Sequence, residues 1–318
     1  MLDDTSKAWA YTKETMQWLN KRFATTDESG RYFSHEPIYG FSGGPSEPDR
    51  LSRLSRTYQI LQIVNKLDFE SYVDVGGAEG YWSNIISRLF QVPCLTCDLS
   101  YRANSMAKLL YGLDGVTVDV HNVPIRDQAF DLVMCSETIE HLVSPARAVR
   151  ELLRVAKKYV MITTPLARSE KERDKYLGSS DQNQPHRHLH YFTKQDLLEL
   201  LGEDIFAKGL RSIPIHPLLL QLDKASSKRP ELVTEGLIES VLRLDSVLSR
   251  VFQGHSIDIL IVKGLNAQAV RDLSAKEGKL DIAGILRFLV RENRIPPAKV
   301  AKWLREKDEK RILRMKGN

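Results

Sequence analysis

The sequence predicts an α/β fold: a doubly wound, mostly parallel sheet of seven strands with helical additions at both ends. Three observations carry that expectation. Short β-branched runs alternate with amphipathic helical stretches between residues 72 and 164, at a spacing that suits crossover units. The first run, Tyr72-Val73-Asp74-Val75, breaks into Gly76-Gly77-Ala78-Glu79-Gly80, a strand that turns on glycines into a helix. Phe130 to Ser136 is almost continuously apolar, as befits an interior parallel strand covered on both faces.

The 318 residues suit one α/β core with appended pieces. With 42% hydrophobic and 27% charged residues the composition is that of a globular protein. No apolar run approaches the roughly eighteen residues of a membrane span. The start, Met-Leu-Asp-Asp-Thr-Ser, has neither a basic nor an apolar segment, so no secretory leader is expected. Cys94, Cys97 and Cys135 are odd in number and fall in interior strands, which fits a reducing cytoplasm. A redox or zinc pair of Cys94 and Cys97 is disfavoured, because three steps along a strand point the thiols to opposite faces. They read as small buried side chains.

Residues 1–70 read as a helical cap and an aromatic loop. An amphipathic helix to about residue 24 carries Trp9, Tyr11, Met16, Trp18 and Leu19. Residues 25–48 bring Tyr32, Phe33, Tyr39 and Phe41 among Gly40, Gly43, Gly44 and Pro45, either a lid that excludes water or an irregular segment packed on the sheet. A helix from Pro48 to Leu67 turns Leu51, Leu54, Ile60, Leu61 and Val64 inward, and its row Arg50, Arg53 and Arg56 shares one face, which could meet an anionic substrate, with a solvated face preferred.

Residues 71–264 form the core. Helix Gly80 to Phe90 directs Trp82, Ile85, Ile86, Leu89 and Phe90 to the sheet. A strand from Pro93 to Leu99, a helix from Tyr101 to Tyr111 and a strand from Val116 to Val120 follow. Beyond the fourth strand, Ser144-Pro145 opens a helix to Lys157, and Tyr159 to Thr164 is the fifth strand. Thr193 and Asp196 make a capping-box start for a helix that Gly202 stops. Phe206 to Ile213 and Ser256 to Val262 are the last strands, around a helical insertion at about 214–255. Its helix Pro230 to Phe252 has a stripe of Leu237, Val241, Leu244, Leu248 and Val251, suited to a lid or a homodimer face.

Residues 265–318 read as a basic helical extension. From Arg291 to Asn318 there are ten basic residues and four acidic, a net +6 against +5 for the chain. Such a tail could bind nucleic acid or an anionic membrane surface. Val300, Trp303, Leu304, Ile312 and Leu313 give it an apolar side as well, so a docked helix with a solvated basic face is preferred.

A glycine turn alone is weak evidence for a ligand. Asp98 strengthens it, lying close to the roughly 20 residues beyond the glycines where a ribose-binding acid is expected. Small residues at 76, 78 and 80 do not match a dinucleotide fingerprint, which argues for a ligand without a pyrophosphate. The series VDVGGAEG, CLTCDLS, VDVHNVPIRDQAFDLVMCSETIEHL and RVAKKYVMITTP, across about 70–202, resembles the motif series of class I S-adenosylmethionine-dependent methyltransferases of the type 11/12 kind, with Ala78 for the usual middle glycine.

That resemblance implies a Rossmann-like fold whose last two strands form an antiparallel pair, and S-adenosyl-L-methionine as cofactor. By it, Asp74 and the turn residues Gly76, Gly77, Ala78 and Gly80 hold the methionyl end. Asp98 and Leu99 hold the ribose, Asp119 and the Val120 amide the adenine, and Ser136 lines the same pocket. A dinucleotide-dependent oxidoreductase and a non-catalytic binding module that kept the fold are the competing classes.

Glu137, Glu140 and His141 form E-x-x-E-H beyond the fourth strand, and on one helical turn they would converge at the sheet's carboxyl edge. His186, His188 and His190 occupy alternate positions, which an extended segment turns to one side. Carboxylates with imidazoles suit a divalent metal. Small-RNA 2′-O-methyltransferases and some quinone-pathway O-methyltransferases carry a similar pattern with a downstream histidine, matched here by His188. The resemblance therefore implies a divalent ion on Glu137, Glu140, His141 and His188 that engages an acceptor hydroxyl, with His141, His188 and Glu137 as catalytic candidates. Lining the pocket by hydrogen bonds alone is the alternative. The expected acceptor is a small molecule or a carbohydrate- or lipid-linked metabolite with a nucleophilic oxygen, and RNA is the second.

Overall fold

The computed structural model describes residues 5–40, 50–179, 184–201, 211–213, 222, 234–248, 256–262, 272–273 and 275–316. Helices α1 (Thr5–Arg22) and α2 (Arg50–Val64) precede the alternating core. That core runs β1 (Tyr72–Val75), α3 (Tyr81–Phe90), β2 (Cys94–Asp98), α4 (Tyr101–Tyr111), β3 (Gly115–Thr117), β4 (Phe130–Ser136), α5 (Pro145–Val155) and β5 (Ala156–Pro165). There follow α6 (Glu170–Ser179), α7 (Lys194–Leu201), β6 (Arg211–Ile213), α8 (Glu235–Leu248) and β7 (Ser256–Val262). The C-terminal part holds α9 (Ile282–Arg287), a π-helical turn (Phe288–Glu292) and α10 (Pro297–Lys316).

The seven strands order as β3-β2-β1-β4-β5-β7-β6. The first five are parallel, and β7 runs antiparallel to both β5 and β6. The sequence order reverses on either side of β1, so the loops leaving β1 and β4 part at their carboxyl ends and open a crevice. The alternation of strand residues explains why both faces are apolar. Tyr72, Leu132, Met134, Tyr159 and Met161 pack into one layer with α2, α3 and α4. Val73, Val75, Val133, Cys135, Val160 and Ile162 pack into the other, with α5. Cys94 and Cys97 fall to opposite layers and remain free thiols.

Several boundaries differ from the sequence reading. Strand β3 ends at Thr117, so Asp119 sits beyond it in a turn closed by the Asn122 amide donating to its carbonyl. Helix α5 stops at Val155 because β5 begins at Ala156, and Ser144 occupies its N-cap position without a side-chain cap bond. The capping box of α7 is formed: the Thr193 amide donates to Asp196 Oδ2 at 2.7 Å and the Asp196 amide to Thr193 Oγ1 at 3.2 Å.

The stripe on α8 splits. Ile238, Val241 and Leu242 are buried, while Leu237, Leu244 and Val247 stay exposed. Buried Asp245 accepts from Ser55 Oγ and from Gln59 Nε2 of α2, which fastens this helix to α2. The arginine row of α2 is not solvated: Arg50 is buried, and Arg53 and Arg56 line the crevice. The aromatic loop also turns inward, with Tyr32 and Tyr39 buried and the Tyr39 hydroxyl donating to the Tyr32 carbonyl at 3.0 Å. Helix α10 buries Val300 and packs Trp303 and Leu304 on the core, leaving Lys299, Lys302 and Arg305 exposed.

Phe41, Gly43, Gly44, Pro45, Gly202, Val251, residues 206–210 and most of the insertion lie outside the described residues. Among the described residues no helix is long and apolar enough to cross a membrane.

Candidate active site

One cavity of about 560 Å³ fills the crevice, within the range of roughly 300–1,000 Å³ usual for small-molecule sites. Gly76, Ala78, Asp98, Leu99, Asp119, Val120 and Ser136 line one part of it, and Glu137, Glu140, His141 and His188 another. Seven of the cofactor candidates and all four of the metal candidates thus share one space.

At the first end the backbone does most of the shaping. Gly76 holds φ +82°, and a Cβ there would strike the Thr138 side chain. A Cβ on Gly77 would meet the Asp74 carboxyl carbon at 2.8 Å. Asp98 closes the turn, its Oδ2 accepting from the Ala78 amide at 3.0 Å and its Oδ1 from the Ser100 amide at 2.8 Å. Burial pushes its pKa up to about 6, against the pull of those two bonds. Asp119 Oδ1 accepts from the His121 amide at 2.9 Å and from His121 Nδ1 at 2.7 Å. Burial works against its ionisation, yet the His121 bonds outweigh it and hold the pKa below the usual range. His121 Nε2 in turn accepts from the Ser144 amide at 3.2 Å, which fixes the ring.

Asp74, Gly77 and Gly80 do not line the cavity. The Asp74 carboxylate is sealed under Gly77, fully buried, with neither oxygen hydrogen-bonded, and desolvation raises its pKa well above the usual carboxylate range. Its place is beneath the turn, supporting it.

The second end is built from side chains that start far apart. Only Glu140 and His141 share a turn, the 3₁₀ segment Ile139–His141; Glu137 precedes it in the left-handed region at φ +50°. Glu137 is held by Arg56 at 2.8 Å and by the Thr163 hydroxyl at 3.1 Å. The histidine segment is pinned alongside, as the Leu189 and His190 amides donate to the Glu140 carbonyl at 2.8 and 3.0 Å. His141 Nδ1 donates to the Arg187 carbonyl at 2.9 Å, which leaves Nε2 as the lone-pair nitrogen, 3.9 Å from Glu140 Oε1. His190 turns away and gives its Nε2 to the Leu142 carbonyl at 2.9 Å. The alternate-position expectation therefore holds for His186 and His188 and fails for His190, because the segment bends around Glu140.

Donor atoms of Glu140, His141 and His188 lie within 4.8 Å of one another. The three are poised for a cation. Burial raises the Glu140 pKa well above its usual range, with the Glu137 charge adding to it. Burial, then His186 and His188, holds His141 well below the imidazole range. His188, lowered by burial, keeps a buried Nδ1 without a partner. Glu140 Oε2 accepts from the Thr164 hydroxyl at 3.1 Å, and two neutral imidazoles beside a buried carboxyl group are a donor set that would suit a divalent ion.

Sequence reasoning missed three contributors. Trp18 of α1 stacks on His186 (5.3 Å between rings, 10° between planes), and His186 stacks on His141 at 3.9 Å and 16°. His35 lines the cavity, and burial with the charges of Arg53 and Arg22 pushes its pKa down to about 3. Glu79, fully buried, accepts the His35 and Glu36 amides on Oε1 at 2.6 and 3.0 Å, and burial pushes its pKa up to about 7. Of these, only Glu79 stood in a motif.

Residues 9–204 match the methyltransferase-domain family, which is more than half of the chain, and the chain belongs to that family. It is accordingly an S-adenosylmethionine-dependent methyltransferase, and the turn and Asp98 form a cradle that suits this cofactor. No curated protein matches it. Among solved structures, a geranyl diphosphate methyltransferase in complex with GPP and sinefungin is 14% identical, covering 80% of this chain and 98% of that chain at a TM-score of 0.50. A geranyl diphosphate C-methyltransferase from Streptomyces coelicolor A3(2) is 13% identical (79% and 97% covered, TM-score 0.49). A possible histamine N-methyltransferase from Thermotoga maritima is 15% identical (67% and 91% covered, TM-score 0.44). At these identities the likeness is one of fold.

Proposed function

We propose that this methyltransferase acts on a hydroxyl oxygen of a small molecule or a carbohydrate- or lipid-linked metabolite, with Glu140, His141 and His188 as ligands of a divalent ion. The observation that carries this reading is the His141 tautomer. Its Nδ1–H is committed to Arg187, so Nε2 offers a lone pair towards Glu140 in the cavity that Asp98 and Ala78 also line. S-adenosylmethionine, when bound, supplies an activated methyl group on sulfur, for which the protein needs only an aligned nucleophile. A divalent ion, when bound, supplies a Lewis acid that lowers the pKa of an acceptor hydroxyl.

The remaining work falls to the chain. Asp98 and the Gly76–Ala78 turn hold the ribose and methionyl side, while Asp119, fixed by His121, lies with Val120 where the adenine belongs. Glu137, clamped by Arg56 and Thr163, orients the segment that carries Glu140 and His141 rather than joining the ligand set. Helix α1 and residues 25–40 act as a cap, since Tyr11, Thr15, Trp18 and His35 close the cavity from outside the sheet.

The test measures S-adenosylhomocysteine release with panels of hydroxylated, amine and carbon acceptors, with and without chelator. Turnover confined to hydroxyl acceptors, lost on chelation and restored by a divalent ion, is expected. Full turnover in excess chelator, or turnover on amines alone, overturns the reading.

A further inference from the structure

The geometry points to a second ligand site in this chain, one for a phosphate ester, where α3, α4 and the C-terminal segment meet. It shares no lining residue with the main cavity. A cavity of about 230 Å³ lies among Asn84 and Arg88 of α3, Tyr111 of α4, and Asn293, Arg294 and Lys299 of the C-terminal segment. A groove of about 660 Å³ shares Tyr111, Lys299 and Trp303 with it and adds Lys108 and Lys307. No aspartate or glutamate lines either space among the described residues.

A buried donor without an acceptor marks the inner end. Asn293 is only 4% exposed, and its Oδ1 accepts from Asn84 Nδ2 at 2.9 Å. That bond orients the amide and leaves Asn293 Nδ2 with no partner. A buried unpaired donor is costly unless something accepts from it, and an oxyanion in this cavity would.

Two of the cations around it are already paired, Lys108 with Asp114 at 2.8 Å and Arg88 with Glu292 at 3.9 Å, which leaves Lys299 and Arg294 as the ones nearest to free service. Lys299 lies over the Trp303 ring at 4.7 Å. Arg294 is 3.9 Å from Glu235, and its side chain packs against Gly40. The cavity also receives the N-terminal turn of α10, a long helix whose dipole favours an anion there.

An amide, an ammonium and guanidinium groups from separate elements suit a multi-oxygen anion better than a carboxylate. The adjoining basic and aromatic groove gives room for the rest of the molecule that carries it. The shared chemistry is therefore a phosphate ester, from a small metabolite or from a nucleic-acid backbone. Occupancy would also bear on the first site, because the Ile295 amide donates to the Ile38 carbonyl at 2.7 Å and the same loop sends His35 and Glu36 into the main cavity.

The test titrates the full chain, with S-adenosylhomocysteine in excess and chelator present, using inorganic phosphate, uridine monophosphate and a single-stranded uridylate oligonucleotide. Binding that weakens by about tenfold or more in Lys299→Ala/Arg294→Ala and in Asn293→Asp, with S-adenosylhomocysteine affinity unchanged, supports the site. The monophosphate binding as well as the oligonucleotide assigns a small phosphorylated ligand. Tighter oligonucleotide binding with a steep salt dependence assigns nucleic acid. Lys299→Glu, at an exposed position, serves if Asn293→Asp does not fold. No binding of any of the three at millimolar concentration, or binding indifferent to these variants, overturns the proposal.

Discussion

The two ends of the main cavity are made in different ways. The cofactor end is assembled by loops that leave adjacent strands, and its shape comes from backbone: the Gly76–Ala78 turn, the Ala78 and Ser100 amides on Asp98, and the His121 amide on Asp119. The histidine end comes from α1, the 35–36 loop, α2, the turn after β4 and residues 184–191. The bond from Thr15 Oγ1 to the Pro185 carbonyl at 2.9 Å joins residues 170 apart in sequence. A site made of backbone and register constrains neighbouring residues and leaves a motif, whereas one made by stacking side chains across distant segments leaves scattered residue types.

The sharpest way to break that comparison is to damage the histidine end alone. Glu140→Ala and His188→Ala should each lower turnover by about 10²- to 10⁴-fold, the range for losing a group that acts on the acceptor proton. Both should abolish the absorption bands of bound cobalt(II), and both should leave S-adenosylhomocysteine affinity within about twofold by calorimetry. Loss of cofactor affinity in either would mean that the two ends are not separable.

This division also explains how much the sequence could say. The parallel core and the placing of Asp98, Asp119 and Glu140 at the carboxyl ends of its strands follow from the alternation of strands and helices, which is a local pattern, whereas the strand order is not. That Asp74 lies beneath the turn instead of in the cavity was hidden, because a buried carboxylate and a lining one occupy the same motif position. Arg53 and Arg56 looked solvated because a three-residue row says which face they share and not what packs there. Trp18 over His186 had no signal, since a tryptophan on an amphipathic helix is ordinarily core.

Glu79 links the two ends and gives a pH test. Its folded pKa, pushed to about 7, lies above the unfolded value near 4.5, so between those values the folded state keeps a proton the unfolded state has lost. Stability from this group is therefore full below about pH 4.5 and is lost as pH rises through 7. Glu79→Gln keeps an acceptor for the His35 and Glu36 amides and removes the titration. The variant should gain on the order of 1–3 kcal/mol relative to the parent at pH 8, and the gap should close by about pH 5, read from urea unfolding. A gap independent of pH would exclude proton uptake at Glu79.

At the cofactor end the effects should be graded by how each acid is held. Asp98→Ala removes the acceptor of two amides as well as the proposed ribose contact and should weaken S-adenosylhomocysteine binding by about 1–3 kcal/mol. Asp119→Ala should cost less, because Asp119 is partly exposed and one of its oxygens already serves His121. Calorimetry on both variants decides it. An Asp119 loss larger than the Asp98 loss would reverse the assignment of the buried acid as the principal anchor.

The smallest expected effect separates two small residues of the same turn. Ala78 sits at φ +48°, a conformation that costs a non-glycine residue about 1–2 kcal/mol. Replacing it by glycine relieves that strain, but adds unfolded-state freedom worth about 0.5–1 kcal/mol and removes a nearly buried methyl worth up to about 0.8 kcal/mol. These contributions nearly cancel, so Ala78→Gly should shift the melting temperature by no more than about 2 °C. Gly76→Ala has no such compensation, since the same class of strain comes with a clash against Thr138, and it should lower both stability and S-adenosylhomocysteine binding well beyond that. A clear rise in melting temperature for Ala78→Gly would show that backbone strain dominates in this turn, and a clear fall that the methyl is a packing element of it. Either result would shift the account of the cofactor end from backbone geometry alone to one in which the Ala78 side chain also counts.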